Sequence, residues 1–350
     1  MINIFTKNKP SDRRTKIICT IGPATSSEKI LKKMIEEGMD LARFNFSHGE
    51  KEEFAAWAKI IRRLAKRLKK DVSIIQDLQG PRIRIGKISH EGHHVDSGHE
   101  VTLNFGSDLR RNEIPVKTDL KVPLQKDHTV LIDSGVIELK VKKTDGARVI
   151  CKVIVGGALH SGKGLNFPDT LTEEAFTLKD EEDLVFGQQI GVDYVGLSFV
   201  EEAQDITDLR GKISDETKII SKIERPQAVK NFSEIMDASD VVMVARGDLG
   251  VEIPIEKLPF LQKRIIRRCK TAHKPVIVAT DMMASMVSSP RPTRAEVLDV
   301  ANAVLDGATG VMLSNETAVG KYPVQTLRMM RKIVEETENF HTSQELKSLL

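Results

Sequence analysis

Aromatic residues are scarce in this chain, 4% of 350 with a single Trp, so the stacking platforms that hold single-stranded nucleic acid are not expected. Charge of one sign is scarce too. The formal net charge is only +3, too little for a nucleic-acid or membrane-surface partner. Its basic runs, Arg62 to Lys70 and Lys263 to Lys270, lie in helical patterns and read as solvated faces. Cys19, Cys151 and Cys269 are an odd number without metal spacing, which excludes a disulfide framework and points to a reducing cytoplasm. No apolar run approaches the length of a membrane span, and the N-terminal MINIFTKNKPSDRRTK lacks the apolar core of a secretory signal. With 40% hydrophobic and 29% charged residues, an ordinary globular protein remains, of one large domain or two common ones.

What is present is a regular alternation of strand and helix. Strands are expected at Lys16 to Thr20, Leu41 to Phe46, Ser73 to Asp77, Asp193 to Phe199, Lys218 to Ile223, Asp240 to Ala245, Val276 to Ala279 and Gly310 to Leu313. Helical spacing of apolar residues fills the gaps, among them Ser26 or Ser27 to Glu37, Glu52 to Leu68, Lys179 to Ile190, Gln227 to Met236 and a last helix from Pro323. Asn339 to Leu350 reads as a short tail. Between Arg82 and Asn166 helical periodicity disappears and short alternating runs such as VTLNF, TVLID and RVICKVIV take over. The expectation is an α/β fold, a (β/α)8 TIM barrel with a small all-β domain inserted after the third strand. The barrel would comprise residues 1–81 and 170–350, and the inserted β-barrel-like lid residues 82–169. An open doubly wound sheet is the competitor, but no Gly-x-Gly-x-x-Gly follows the first strand. Gly157 to Gly164, GALHSGKG, falls one residue short of a nucleotide P-loop, and Leu165-Asn166-Phe167-Pro168 cannot open the helix that loop requires.

The chemistry concentrates where strands end. Lys222 and Glu224 alternate on one strand and so share a face; Asp248 follows the next strand in Arg246-Gly247-Asp248. Two carboxylates suit a hard divalent cation such as magnesium, and a lysine beside it suits a phosphoryl group. Taken alone, Lys222 and Glu224 are more simply a surface salt bridge, with Gly247-Asp248 a turn. Their position at the ends of strands too apolar to be edges favours a site. Arg43, Asn45 and Ser47 likewise alternate along the second strand, either as site residues or as the wet face of an edge strand.

The segments TIGPATSS (Thr20 to Ser27), RFNFSHG (Arg43 to Gly49), SKIERPQAVKNF (Ser221 to Phe232), VMVARGDLGVEIP (Val242 to Pro254), SPRPTRAEVLDVANAVLDG (Ser289 to Gly307) and KYP (Lys321 to Pro323) closely resemble the pyruvate kinase family. The similarity runs in order from about Lys16 to Glu336, with the β-insert in the family's place. The resemblance implies phosphoryl transfer from phosphoenolpyruvate to ADP, giving ATP and pyruvate. It implies Glu224 and Asp248 on magnesium (or manganese), Lys222 by the transferring phosphoryl group, and Arg43 as phosphate clamp. Amides of Gly247 and Asp248 would hold the substrate carboxylate, and Thr280, with Ser314 in a proton relay, would serve protonation of the enolate. Asn45, His48, Arg84 and Lys163 match ADP-contacting positions.

Three departures modify that reading. The family's Asp-Thr-Lys-Gly-Pro-Glu is here Asp77-Leu78-Gln79-Gly80-Pro81-Arg82. The resemblance implies Asn45, Ser47, Asp77 and Leu78 as a potassium-type site; the Arg82 guanidinium is expected to supply that ion's charge, leaving potassium dispensable, with weak binding by the retained ligands as the alternative. Asp281 follows Thr280 in place of Gln, and Asn315 follows Ser314 in place of Gly. The family's C-terminal domain is missing, so its effector site and subunit interface are not expected, and a homodimer through barrel helices is. A non-catalytic paralogue binding phosphoenolpyruvate or nucleotide, and a magnesium-dependent enolpyruvate-type lyase, are the competing functions; the ADP-side residues argue against the lyase.

Overall fold

The structure is a computed structural model that describes residues 4–5, 13–88, 93–110, 112–118, 123–170 and 176–342. Strands β1 (Lys16–Thr20), β2 (Leu41–Asn45) and β3 (Ser73–Asp77) alternate with helices α1 (Glu28–Glu36) and α2 (Lys51–Leu68). Strands then follow one another: β4 (Ile83–Ile85), β5 (His93–Val95), β6 (Glu100–Asn104), β7 (Ile114–Lys117), β8 (Thr129–Ile132), β9 (Ile137–Asp145), β10 (Arg148–Val155), β11 (Gly157–Leu159) and β12 (Gly164–Asn166). Alternation resumes with α3 (Leu178–Ile190), β13 (Tyr194–Leu197), α4 (Ala203–Arg210), β14 (Lys218–Ile223), α5 (Pro226–Lys230), α6 (Phe232–Ala238) and β15 (Val241–Ala245). The chain continues through α7 (Arg246–Glu252), α8 (Leu258–Thr271), β16 (Val276–Ala279), α9 (Arg294–Asp306), β17 (Gly310–Leu313), α10 (Asn315–Ala318) and α11 (Pro323–Thr342).

Eight parallel strands close into one barrel in the order β1-β17-β16-β15-β14-β13-β3-β2. Around it lie the helices, whose starts follow local chemistry. Ser27 Oγ accepts the Ile30 amide to cap α1, and Thr177 with Asp180 and Thr293 with Glu296 form capping boxes on α3 and α9. A second, smaller barrel closes as β10-β6-β7-β4-β12-β8-β9, with β5 and β11 paired separately. It has its own apolar core, including Leu103, Val130, Leu139 and Cys151.

Side-chain parity sorts the large barrel into two cores. Ile17, Ile74, Val195, Ile219, Val242 and Val311 face the helices, while their neighbours Ile18, Ile75, Tyr194, Ile220, Val241 and Met312 fill the barrel's inside. Tyr194 closes the lower end: its hydroxyl accepts the Ile4 amide and its ring meets Phe5 edge-on.

Three expectations need correction. Gln227 to Met236 is not one helix; the chain breaks at Asn231, whose side-chain amide donates to the Glu201 carbonyl instead of pointing outward. The turn that the simpler alternative placed at Gly247-Asp248 is instead the start of α7. Asn339 to Thr342 are not tail, because α11 runs through Thr342 and is moored by Glu338, whose carboxylate accepts the Thr15 amide at 2.7 Å. Residues beyond 342, and residues 1–3 and 6–12 of the N-terminal stretch, lie outside the described residues. Gly164 to Asn166 is a strand, in keeping with rejection of the P-loop.

Candidate active site

The inside parity of each strand, continued past the apolar layer, becomes polar at the carboxyl ends. Ile18 gives way to Thr20, Leu41 to Arg43 and Asn45, Ile75 to Asp77, Ile220 to Lys222 and Glu224, and Met312 to Ser314. All of these polar residues except Thr20 line a cavity of about 90 Å³, together with Ser47, Leu78, Arg82, Asp248 and Thr280. A larger cavity of about 640 Å³, bordered by Glu36, Lys69 and Arg331, opens at the strands' opposite ends and contains none of these residues. The wet-face alternative for β2 is excluded, since this strand is hydrogen-bonded on both sides within a closed barrel.

Lys222 is the hub. Its Nζ lies 2.9 Å from Glu224 Oε1 and 3.1 Å from Asp77 Oδ1, and donates to Ser198 Oγ at 2.7 Å. Arg43 closes the other side of Asp77, with Nε 2.5 Å from Oδ2, and its Nη1 donates to Thr20 Oγ1 at 2.9 Å. Burial works against charge at all three central groups. For Lys222 burial lowers the pKa, but Asp77 and Glu224 outweigh it and the ammonium is held above its usual range. For Asp77 burial raises the pKa, yet Arg43 and Lys222 bring the net shift below the usual carboxylate value. For Glu224 burial wins, helped by nearby Asp248 and opposed by Lys222, so its pKa is raised. The remaining Glu224 oxygen accepts the Phe199 amide at 2.8 Å.

Asp248 is half-exposed and faces the same cavity, paired with Arg82 Nη2 at 2.8 Å. The donor set there is two carboxylates and no thiolate or imidazole, which fits a hard divalent cation that takes its other ligands from substrate and water. Among the described residues no group of three or more His, Cys, Asp or Glu side chains gathers as a metal cluster, so these two acids would need such outside ligands. Of the residues expected to form a potassium-type site, three have oxygens that already take protein donors. Asp77 takes Arg43 and Lys222, Asn45 Oδ1 takes the Ser47 amide, and the Leu78 carbonyl takes Ser198 Oγ–H.

Thr280 sits in the left-handed region at φ +75, followed by Asp281 at φ +55, a costly conformation for a β-branched residue. Arg246 holds it there. Its Nη2 and Nε donate to the Thr280 carbonyl at 2.5 and 3.1 Å, and Nη1 donates to Asp299. Gly247 permits the packing, since a Cβ there would lie 2.9 Å from Thr280 Cγ2. Buried Glu316 links the loops that follow β16 and β17, accepting the Met283 amide at 3.1 Å and the Ser314 amide at 2.7 Å. Asp281 is exposed and is not among the cavity's lining residues.

Of the nucleotide-side candidates, Asn45 lines the cavity. His48 is not among its lining residues, but it lies close enough to three site cations that lost solvation and then Arg84, Arg82 and Arg43 hold its pKa below the usual value. Arg84 is close enough to Asp248 and Arg82 to feel both charges. Lys163 is not brought in. It pairs with Asp133 within the small barrel at 2.9 Å. Sequence reasoning missed Ser198 and Phe199, although the parity that begins at Tyr194 leads through Gly196 to Ser198. It also missed Arg246 and Glu316, whose roles depend on backbone contacts that leave no pattern in the chain.

Comparison with known proteins agrees with this geometry. Residues 12–327 match the family model described as pyruvate kinase, barrel domain. The chain is 46% identical to a pyruvate kinase of Thermococcus litoralis, over 94% of this chain and 71% of that protein. It is 46% identical to pyruvate kinase 2 of Synechocystis sp., over 97% of this chain but only 59% of that protein. A pyruvate kinase of Mycobacterium tuberculosis is 42% identical over 92% of this chain and 70% of its own length.

Proposed function

The chain belongs to the pyruvate kinase family, and from that membership we propose that it transfers the phosphoryl group of phosphoenolpyruvate to ADP, giving ATP and pyruvate. Members of this family are phosphotransferases of glycolysis that use a divalent metal. The observation that carries the reading here is one cavity lined together by Arg43, Lys222, Glu224 and Asp248.

Glu224 and Asp248 would hold magnesium or manganese, which supplies Lewis-acid polarisation of the substrate's oxygens. Lys222, held charged by its two carboxylates, places a fixed ammonium where negative charge spreads over the transferring phosphoryl group. Arg43 clamps the same phosphate with a guanidinium oriented by Asp77 and Thr20. Amides of Gly247 and Asp248 receive the substrate carboxylate. Thr280 and Ser314 relay the proton to the enolate carbon through water, since a hydroxyl alone is a poor acid. Asn45, His48, Arg84 and, after movement of the small barrel, Lys163 form the nucleotide side. Arg82 stands for the positive charge of potassium, and the protein donors already on Asp77, Asn45 and Leu78 support dispensability of that ion. We place the enzyme in the cytoplasm, as a homodimer through barrel helices. Among the described residues no helix is long and apolar enough to cross a membrane.

A coupled assay for pyruvate with phosphoenolpyruvate, ADP and magnesium tests the reading. The expected result is turnover that requires ADP, persists without potassium, and falls by at least about 100-fold in Lys222→Met. Binding without turnover would mark a non-catalytic paralogue, turnover without ADP a lyase, and a large activation by potassium would remove the role given to Arg82.

A further inference from the structure

The two connections between the barrels are fastened differently, and both rest on the short helix α7. At the exit from the small barrel, Arg225 is buried, donates to the Phe167 and Thr170 carbonyls at 3.1 and 2.8 Å, and pairs with Glu201 and Glu252. Asn166 adds a bond to Glu252 at 3.1 Å. That connection is a fixed anchor. At the entry, Arg82 lies one residue before β4, and its guanidinium meets Asp248 at 2.8 Å with side-chain exposures of 34% and 22%. Glu252, which holds the exit, and Asp248, which holds the entry, are one helical turn apart on α7.

Resting on the metal-binding role given to Asp248, we propose that the Arg82–Asp248 pair is a latch released by the divalent cation. A guanidinium and a divalent cation are both drawn to the Asp248 carboxylate, and the guanidinium occupies the oxygen Oδ1 in this structure. Lys222 already serves Glu224, so Arg82 supplies the positive charge that Asp248 needs when no cation is bound. Cation binding frees the guanidinium. Arg82 then turns toward the incoming phosphates, and the β3–β4 connection loses its ion-pair tie to the large barrel, keeping the bonds of Leu78 to Gly196 and Ser198 and of Gly80 to Asp180, while the Arg225 anchor stays. Loading of the metal and freedom of the small barrel's entry are thereby coupled, with the exit as pivot. The half-exposed position of the pair makes release inexpensive, in contrast to the buried Arg225 cluster.

The test is binding of Mn2+ to the full chain, followed by electron paramagnetic resonance, together with hydrogen exchange of residues 80–86. Arg82→Gln is expected to bind Mn2+ about three- to tenfold more tightly than the wild type, because the competing cation is gone. Arg82→Lys, a point charge of shorter reach, is expected to tighten it less. Arg84→Gln removes a nearby charge without opening the pair and controls for the general field. In the wild type Mn2+ speeds exchange at residues 80–86, and in Arg82→Gln these amides exchange fast with or without the ion. Equal affinity in Arg82→Gln and wild type, or an equal gain in Arg84→Gln, would overturn the latch and leave the metal site standing. Absence of Mn2+ binding in the wild type and in Arg82→Gln, both with normal thermal melts, would instead overturn the metal role of Asp248 and the latch with it.

Discussion

Lys222 neutralises two buried carboxylates at once, so its removal has a pH signature. Asp77 and Glu224 are buried, and Lys222 faces both. In Lys222→Met the folded-state pKa of each carboxyl rises, because a cation that favoured the ionised form is gone. A carboxyl whose folded pKa is depressed contributes stability above its unfolded pKa and loses it as pH falls through the folded value. That contribution at Asp77 is what the variant forfeits. The melting temperature of Lys222→Met should therefore lie furthest below wild type near about pH 7 and approach it only as pH falls below about 4, through the depressed Asp77 value. A deficit constant across this range would mean packing rather than charge. His48 gives a second measurement at this scale. Its NMR titration midpoint should lie below about 6.5, the ordinary value, and Arg84→Gln should raise it, since one of the cations opposing protonation is removed.

At the scale of elements, the ends of β16 and β17 are coupled through the first turns that follow them. Glu316 in α10 accepts one amide from each loop with its two oxygens. Glu316→Gln keeps the shape but turns an NH2 group toward one of those amides, leaving a buried donor facing a donor. The expected cost is about 1–3 kcal/mol, read from the denaturant midpoint. A kcat loss larger than the KM change should accompany it, because Thr280 and Ser314 lose their common mooring while Arg43 and Lys222 keep theirs. The strained Thr280 backbone persists for a related reason: Arg246 reaches back across from α7 to hold its carbonyl, and Asp299 fixes the guanidinium.

The whole molecule is two closed barrels with separate apolar cores. The smaller barrel encloses the smaller core, and its free energy of opening should be lower. Native-state hydrogen exchange should show amides of β6 and β10 opening at lower denaturant than those of β13 to β16. Identical protection in both sets would mean that the barrels unfold as one unit. The arrangement also explains why the polar ring tolerates so much buried charge. The large barrel's outer core, between strands and helices, is independent of the polar ring, so the ring's desolvation costs are carried by a scaffold built elsewhere.

Much of this was legible in the chain. Strand positions β1, β3, β14, β16 and β17 follow from short β-branched runs bounded by turn residues, and the pairing of Lys222 with Glu224 on one face follows from the period of two. Local spacing along one element is a property of consecutive residues, and it needs no knowledge of what lies across the barrel. The end of α5 at Asn231, the helical first turn at Gly247, and the roles of Ser198, Arg246 and Glu316 could not be read that way. Each depends on a donor or acceptor brought from a distant strand by barrel closure. So does the partner of Arg82: residue types along the chain limit it to some anion, but only the folded backbone, by setting β4 beside α7, decides that the anion is Asp248.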